Sequence, residues 1–420
     1  MNARDSLVGG LETLSTPMHS RTAARNVVVA AFLGWALDAF DFFISIFTFD
    51  DAAREFGVSM TAITFAITLT LATRAIGAFV FGRLADKYGR KPVLIMVIVL
   101  YSLFELLSGF AWSFISFLAI RALFGIAMGG EWGVGSSLAM ETIPPQWRGW
   151  VSGLLQAGYP AGYFLATLAF GLCYHSLGWR GMFVLGAAPA LLAVFINSKI
   201  EESPAFRTRQ RRPSTPMLQV LRGNVRITLY AIVMMTAFNF FSHGTQDIYP
   251  KLYLGAQLGL SHASLTNIVL FYNAAAIAGG LFFGFLSQKI GRRKAIGLAC
   301  ALSLLVVYSW SHGTGVYSVA IAAFAMQFAV QGAWGVVPVH LNELSPPEIR
   351  GTFPGFVYQL GNLLASINAT LQVQIAAHHG QDYGLALATV AGSAAVVLLF
   401  LMLFGPEARN VSMGEPDTAR

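Results

Sequence analysis

The chain has 420 residues, of which 55% are hydrophobic and only 11% are charged. An average soluble domain has about 25% charged residues, so a soluble globular fold is excluded. The formal net charge is +7 and there are two cysteines. Cys173 and Cys300 lie in separate apolar segments, which argues against a disulfide or metal framework. We expect no metal and no cofactor.

Apolar runs of about 20 residues, long enough to cross a bilayer, follow one another along the chain. They predict twelve transmembrane helices, six on each side of a polar segment, at 26–49, 62–83, 92–111, 113–137, 150–173, 179–197, 226–250, 264–287, 295–312, 315–340, 352–376 and 384–404. The sequence therefore predicts an all-α membrane protein in five parts. These are an N-terminal arm (1–25), a six-helix half (26–197), a linker (198–225), a second six-helix half (226–405) and a disordered tail (406–420).

The basic residues orient these helices. With the N-terminus in the cytoplasm, all but five of the 27 Lys and Arg residues fall on cytoplasmic segments. Arg54, Arg180 and Lys251 lie outside, and Arg74 and Arg121 lie within spans. This asymmetry follows the positive-inside rule. It predicts a multi-pass membrane protein with both termini cytoplasmic, and no nucleic-acid partner. The short termini and the absence of long loops suggest the inner membrane.

The chain repeats itself at an offset of 202 residues. Three separate blocks return, with Gly82–Lys91 matching Gly284–Arg293, Trp132–Val134 matching Trp334–Val336, and Glu141–Gly149 matching Glu343–Gly351. A single offset for three blocks predicts two halves with the same sense through the membrane. Duplicated bundles of this kind are typical of secondary transporters that work by alternating access. The repeat therefore argues against a channel. The sequence also contains no catalytic nucleophile or nucleotide-binding motif, so we do not expect an enzyme.

The first repeated block forms a tight turn between the second and third spans. Asp86 is suited to meet a helix N-terminus and Arg90 an acidic partner, so both are candidates for a latch that holds one conformation. In the second half Gln288 stands where the first half has Asp86. We therefore expect the second latch to differ from the first.

Charged residues inside spans are expensive and are candidate functional residues. This chain has Asp38, Asp41, Arg74, Glu105, Arg121, Glu131 and Asp247, with His243 beside the last. Asp38 and Asp41 share one face of the first span, and Asn239, His243 and Asp247 share one face of the seventh. Both faces should line a central cavity, because lipid does not solvate them.

Different roles suit these groups. Arg121 lies near the midplane and is suited to bidentate capture of a carboxylate; the alternative is a permanent ion pair with Asp38 or Asp41. His243 titrates near physiological pH, which suits proton coupling with Asp247, the alternative being a static polar cluster. Arg74 lies toward the cytoplasmic end of its span and is a structural or gating candidate. Glu105 and Glu131 stay open between proton sites and packing partners.

Five segments of the chain resemble a known family. The Gly82–Lys91 turn resembles the signature loop of the major facilitator superfamily. Asn239–Asp247 reads Asn-Phe-Phe-Ser-His-Gly-Thr-Gln-Asp and is similar to a motif of fungal lactate/pyruvate permeases, members of the sialate:proton symporter family. Trp35–Phe43, Arg121–Gly130 and Tyr358–Asn362 resemble the first, fourth and eleventh spans of those permeases. Glu131 and Trp132 look more like bacterial members.

The resemblance implies proton-coupled uptake of a monocarboxylate such as lactate or pyruvate. We also expect a functional monomer. The residues that the resemblance implies at the substrate and proton pathway are Asn239, His243, Asp247, Arg121 and Gln359. Together with the charges inside the spans, we expect substrate binding by Arg121, Asn239, His243 and Gln359, and proton coupling by Asp38, Asp41, Glu131, His243 and Asp247. The alternative substrate is sialic acid or another sugar acid. A more remote alternative is a non-transporting membrane sensor.

Overall fold

The computed structural model describes residues 18–209 and 217–413. The N-terminal half contains α1 (Met18–Phe56), α2 (Met60–Tyr88), α3 (Arg90–Gly109), α4 (Phe114–Gly129), α5 (Glu131–Thr142), α6 (Arg148–Gln156), α7 (Gly158–Leu185) and α8 (Ala190–Lys199). Two short helices follow, α9 (Pro204–Arg209) and α10 (Met217–Gly223).

The C-terminal half contains α11 (Val225–Gln246), a π-helix (Tyr249–Gln257), α12 (His262–Ile290), α13 (Arg292–Ser311), α14 (Val316–Trp334), α15 (Val337–Leu344), α16 (Phe353–Ala365), α17 (Asn368–His378) and α18 (Tyr383–Phe404). Single-turn 3₁₀ helices at Pro145–Trp147 and Pro347–Ile349 precede α6 and α16.

Nine helical segments in the described residues are long and apolar enough to cross a membrane, and one bent pair, Pro145–Leu185 with Ala190–Lys199, brings the count to ten. Three of the nine, Phe114–Thr142, Val225–Gln257 and Val316–Leu344, contain a helix break. The remaining predicted spans are present but broken. The element Gly158–Leu185 contains a left-handed break at Gly178, with φ at 63°, which separates the fifth crossing from the sixth. The eleventh crossing is divided between α16 and α17.

The ends of the halves differ from the predicted boundaries. The first helix begins at Met18, so residues 18–25 belong to it rather than to an arm, and residues 1–17 lie outside the described part. The linker carries α9 and α10, while residues 210–216 are not described.

The predicted disorder of the tail is wrong for residues 406–413. Met413 is 7% exposed, and Arg148 Nη1 donates to the carbonyl oxygen of Val411 at 2.7 Å. Buried arginines need acceptors, and this backbone supplies one. Residues 414–420 lie outside the described residues.

The 202-residue sequence repeat is also a structural repeat. Gly89 and Gly291 both end a helix at positive φ, 111° and 103°. Arg90 Nη2 lies 2.9 Å from Glu141 Oε1, and Arg292 Nε lies 2.9 Å from Glu343 Oε2. We call the side of the bundle that carries these two turns the basic face. There the two halves meet closely.

Glycines permit that close approach. A Cβ at Gly82 would lie 2.6 Å from the Cα of Thr352 and 3.0 Å from the carbonyl oxygen of Gly351, in the other half. We therefore expect Gly82→Ala to push the halves apart at the basic face, at a cost of about 1–3 kcal/mol to the closed arrangement. Maleimide labelling of a cysteine at Ser136, which is 1% exposed at this interface, should become faster.

Gly171→Ala is the matched control, since nothing lies within 4 Å of a Cβ built there. Equal labelling rates in the two glycine variants would contradict this account of the interface.

Candidate functional site

The C-terminal half contributes a hydrogen-bonded chain centred on His243. The Nδ1 atom of His243 lies 3.0 Å from Asp247 Oδ1, and its Nε2 lies 3.1 Å from Asn362 Oδ1. Asn368 Nδ2 donates to the second oxygen of Asp247 at 3.0 Å. The side chain of His243 is 38% exposed although it lies in a membrane-spanning helix. The group therefore faces an open space inside the bundle.

The sequence paired His243 with Asp247, as the structure does, but missed Asn362 and Asn368. Neither residue is charged, so a search for intramembrane charges passes over them. Asn239 shares the predicted helix face, yet its Nδ2 donates to the carbonyl oxygen of Met235 in its own helix at 2.7 Å. Gln359 is 2% exposed, and its Oε1 has no hydrogen-bond partner among the described residues.

Arg74 and Asp38 form the first of two buried ion pairs in the N-terminal half. Arg74 Nη2 lies 2.9 Å from Asp38 Oδ1, and both side chains are at most 5% exposed. The same Nη2 contacts the sulfur of Met128, and the guanidinium lies 5.6 Å from the centre of the Phe42 ring. The Nε atom of Arg74 has no partner in the described structure. This guanidinium therefore keeps a donor free.

Arg121 and Glu105 form the second pair. Arg121 Nη1 lies 2.6 Å from Glu105 Oε2, with side chains 2% and 0% exposed. The guanidinium also lies 3.9 Å from the centre of the Phe124 ring. The predicted alternative for Arg121 was a pair with Asp38 or Asp41, but the observed partner is Glu105. None of the contacts described for Arg121 reaches the His243 group.

Two further carboxyl groups lie beside these pairs without a cation of their own. Both oxygens of Asp41 and the Oε2 of Glu131 are buried with no hydrogen-bond partner in the described residues. Asp41 lies next to Glu105, because a Cβ at Gly186 would be 3.3 Å from Asp41 Oδ1 and 2.7 Å from Glu105 Cγ. The carboxyl groups of this acidic cluster (Asp38, Asp41, Glu105 and Glu131) thus outnumber its two guanidinium groups.

Helix breaks place several of these polar groups. Glu131 follows the break between α4 and α5, Asp247 follows the end of α11, and Asn368 follows the break between α16 and α17. Broken helices inside membrane bundles commonly mark binding sites, because the freed backbone groups need a cavity or a partner. The sequence predicted uninterrupted spans at all three places.

Two tyrosines connect the polar groups of the halves. The Tyr159 hydroxyl lies close enough to Arg74, Asp38 and Asp247 to interact electrostatically with each. Tyr358 of the C-terminal half lies similarly near Arg74 and Asp38. Sequence reasoning missed both as site residues, because tyrosine inside an apolar helix is ordinary. The only signal was Tyr358 in a segment that resembles the family's eleventh span.

Below these groups an aromatic plug separates the site from the basic face. The ring of Tyr358 lies 4.7 Å from Trp132, 5.5 Å from Trp334 and 6.5 Å from Trp35, between ring centres. Trp132 and Trp334 are repeat partners from the two halves. Because the plug takes rings from both halves, it closes only when the halves meet.

The basic face is closed by the predicted latch. Asp86 Oδ1 accepts the backbone N–H of Gly351 at 2.8 Å. Its Oδ2 accepts the backbone N–H of Thr352 at 3.1 Å and the hydroxyl of Thr352 at 2.6 Å. Arg90 Nη2 lies 3.4 Å from Asp86 Oδ1. Gln288 makes the repeat-related contact, accepting the backbone N–H of Gly149 at 3.2 Å.

These contacts define the conformation. The two halves are joined at the basic face, while the His243 group stays exposed. The structure is therefore a conformation closed at the basic face.

Comparison with known proteins agrees with this architecture. A model of the Major Facilitator Superfamily matches residues 31–249, and a model described as Sugar (and other) transporter matches residues 227–410. The solved structure of the proton:xylose symporter XylE superposes with a TM-score of 0.76 at 18% identity, covering 94% of this chain and 98% of that one. The likeness confirms the predicted all-α membrane fold.

Two curated relatives match most of the chain. A carboxylic acid transporter protein homolog of Saccharomyces cerevisiae is 27% identical over 93% of this chain and 69% of its own length. The sialic acid transporter NanX of Escherichia coli is 28% identical over 89% of this chain and 93% of its own.

Proposed function

Because the chain belongs to the major facilitator superfamily, we propose that it is a secondary active transporter of a small organic acid. In its finer form, the proposal is symport of a monocarboxylate such as lactate or pyruvate with a proton. The observation that carries it is the buried acidic cluster, which combines two guanidinium groups with carboxyl groups that lack partners. It lies in a bundle whose two halves are joined at the basic face.

The carboxylate of the substrate needs a cation whose hydrogen-bond donors are not all used by other groups. The Nε atoms of Arg74 and Arg121 both lack a hydrogen-bond partner among the described residues. Arg74 supports this role better, because Tyr358 of the other half lies near it. A guanidinium binds a carboxylate with two parallel hydrogen bonds, which a point charge does not provide. Arg121 is held by Glu105 at 2.6 Å. We therefore assign the substrate carboxylate to Arg74, with Tyr159, Gln359 and His243 around it, and Arg121 to the proton cluster.

Charge counting supports proton coupling. If all carboxyl groups of the acidic cluster were ionised, two negative charges would be buried without compensation, at a cost of several kcal/mol each. The cluster therefore has room for two protons. Within the described residues, Asp41 and the Oε2 of Glu131 have no hydrogen-bond partner, so these two groups are the candidates to hold them. A substrate anion at Arg74 competes with Asp38 for the same guanidinium. In this scheme carboxylate binding and proton binding depend on each other.

The His243 group offers a second place for a proton. Both ring nitrogens face oxygen atoms, one on Asp247 and one on Asn362. An imidazolium supplies a donor to each, whereas a neutral ring supplies only one. Protonation of His243 would therefore change its hydrogen bonds to Asp247 and Asn362, beside the place where substrate is expected to bind.

Alternating access completes the mechanism. Release at the other face requires that Asp86 leave Gly351 and Thr352, and that Tyr358 leave the tryptophans of the plug. With the basic face taken as cytoplasmic, as the distribution of Lys and Arg indicates, closure of that face is expected of the conformation that receives substrate from outside. We place the protein in the inner membrane as a functional monomer with both termini cytoplasmic.

A pH gradient tests the coupling. One pH unit corresponds to 1.36 kcal/mol per proton, so symport of one proton should accumulate radiolabelled lactate about tenfold in proteoliposomes that are alkaline inside. Asp41→Asn removes an ionisable group without removing a cation partner. It should keep lactate exchange while losing this accumulation.

Empty liposomes and a protonophore correct for permeation of the free acid. Lactate uptake by the native protein that is the same with and without the pH gradient would contradict symport.

One observation favours a second substrate. NanX, a sialic acid transporter, matches this chain over most of both lengths. A sugar acid would use the same arginine but would need many hydroxyl partners. Competition between lactate and N-acetylneuraminate separates the two substrates.

A further inference from the structure

A continuous column of aromatic rings runs along the N-terminal half, beginning at the Arg74 guanidinium. We call it the aromatic column, and its members are Phe42, Phe43, Phe47, Tyr159, Tyr163 and Trp35. Phe42 lies 5.6 Å from Arg74 and 5.5 Å from Phe43. Phe43 lies 4.6 Å from Tyr163 and 5.6 Å from Tyr159, as measured between ring centres. The rings are thus within stacking and edge contact of one another from the cation outward.

The column faces the space between the halves. The helix that carries Tyr159 and Tyr163, α7, contacts α12 of the C-terminal half. Trp35 lies 6.5 Å from Tyr358 of that half, between ring centres. Phe42, Phe43 and Phe47 are each partly exposed although they lie on a helix inside the bundle. The other members extend the surface at both ends, with Trp35 at 5.4 Å from Tyr159 and Phe47 at 6.1 Å from Tyr163.

The polar groups of the site are unevenly distributed. Arg74 stands at one end of the column, and the His243 group stands on the opposite half. Along the column itself, apart from the indole of Trp35, only the hydroxyls of Tyr159 and Tyr163 can form hydrogen bonds. A molecule bound by its carboxylate at Arg74 would therefore lay its body against ring faces and edges.

This asymmetry selects a chemical class. Resting on the proposed function, we propose that the preferred monocarboxylate, the one bound most tightly, carries a flat, unsaturated or aromatic body about the size of a six-membered ring. The three-carbon body of lactate spans too little of the column to contact several rings. A polyhydroxylated acid would leave hydroxyl groups unpaired against the rings, which is unfavourable when they lose water. Aromatic contacts favour a flat ring over a puckered one of equal size.

Paired ligands test this proposal on the purified full-length protein. Isothermal titration calorimetry would compare benzoate with cyclohexanecarboxylate, which has the same carbon number but a puckered saturated ring, and with lactate and N-acetylneuraminate. We expect benzoate to bind about 3- to 10-fold more tightly than cyclohexanecarboxylate, on the scale of one or two aromatic contacts. Lactate and N-acetylneuraminate should both be weaker.

Variants connect the preference to the column. Phe43→Leu should remove the preference for benzoate over cyclohexanecarboxylate, and Phe43→Tyr, which keeps a ring, should retain it. Phe400→Leu is the matched control, because Phe400 is 61% exposed on the outside of the bundle and contacts another outer ring, Phe404. A preference unchanged in Phe43→Leu would overturn the proposal.

The failure of this inference is distinct from that of the proposed function. If gradient-driven lactate uptake is present while lactate or N-acetylneuraminate binds more tightly than benzoate, the flat-body proposal is wrong and symport stands. If none of the four acids binds and the gradient drives no uptake, carboxylate transport itself is rejected.

Discussion

Replacing Arg74 by lysine should raise the KM for the carboxylate about 100-fold, equivalent to about 2.7 kcal/mol. The substitution keeps the positive charge beside Asp38, so the buried carboxylate is not left without a cation. It removes the planar fork that binds a carboxylate with two hydrogen bonds. The measurement is concentration-dependent uptake in proteoliposomes containing equal amounts of native and variant protein.

Arg121→Lys is the matched control, since it makes the same chemical change in the other buried pair. It should leave the KM nearly unchanged and alter the dependence of uptake on the pH gradient instead, because Arg121 lies with Glu105 beside Asp41. The opposite result, a raised KM only in the Arg121 variant, would mean that Arg121 binds the substrate carboxylate, as the sequence predicted. Melting temperatures in detergent would show whether either variant is simply unfolded.

Asp86→Asn should shift the conformational equilibrium more than 100-fold toward opening of the basic face. Asp86 is a buried carboxylate that accepts three hydrogen bonds from Gly351 and Thr352. The asparagine retains one acceptor oxygen, and its amide nitrogen would face a donor. Hydrogen bonds to charged groups contribute about 1.5–3 kcal/mol each, so a loss of about 3 kcal/mol is expected.

Distances between spin labels measure this shift. Labels on cysteines at Thr61 and Ala263 would report the opposite face, where both positions are exposed on different halves. In the native protein the distance should be long, and in Asp86→Asn a shorter distance should dominate. Cys173 is only partly buried and would be replaced first.

Gln288→Ala provides the comparison for Asp86. Its single neutral contact with Gly149, at 3.2 Å, is expected to contribute about 1 kcal/mol. A shift as large as that of Asp86→Asn would mean that the two repeat-related contacts carry equal weight. That result would reject the asymmetry between the latches that Gln288 led us to expect.

Both predictions describe one cycle. Arg74 supplies the binding energy for the substrate, and Asp86 holds the face that must open for release. A ligand shifts such an equilibrium only by binding the two conformations with different affinity. Tyr358 is part of the aromatic plug and also lies near Arg74. A substrate bound at Arg74 could therefore act on the plug, and so on closure of the basic face, through Tyr358.

The sequence by itself determined the features that depend on local composition and repetition. Long apolar runs set the transmembrane helices, and the 202-residue offset set the two parallel halves. The repeated glycines, Gly89 and Gly291, marked the two tight turns at the basic face. The cost of an intramembrane charge marked each member of the acidic cluster, and helical spacing paired His243 with Asp247. These inferences needed only neighbours along the chain or a period within one helix.

Only the tertiary structure decided which groups meet across helices. The sequence places both Arg74 and Arg121 inside transmembrane helices. Nothing in the neighbouring residues predicts that Arg74 pairs with Asp38 and Arg121 with Glu105. Ion-pair partners are chosen by helix packing, since charges from several helices compete within a few ångströms. Helix breaks, the aromatic column and the burial of residues 406–413 depend on the same packing. The sequence therefore determined the kind of protein, and the packing of its helices decided how the site is divided between substrate and proton.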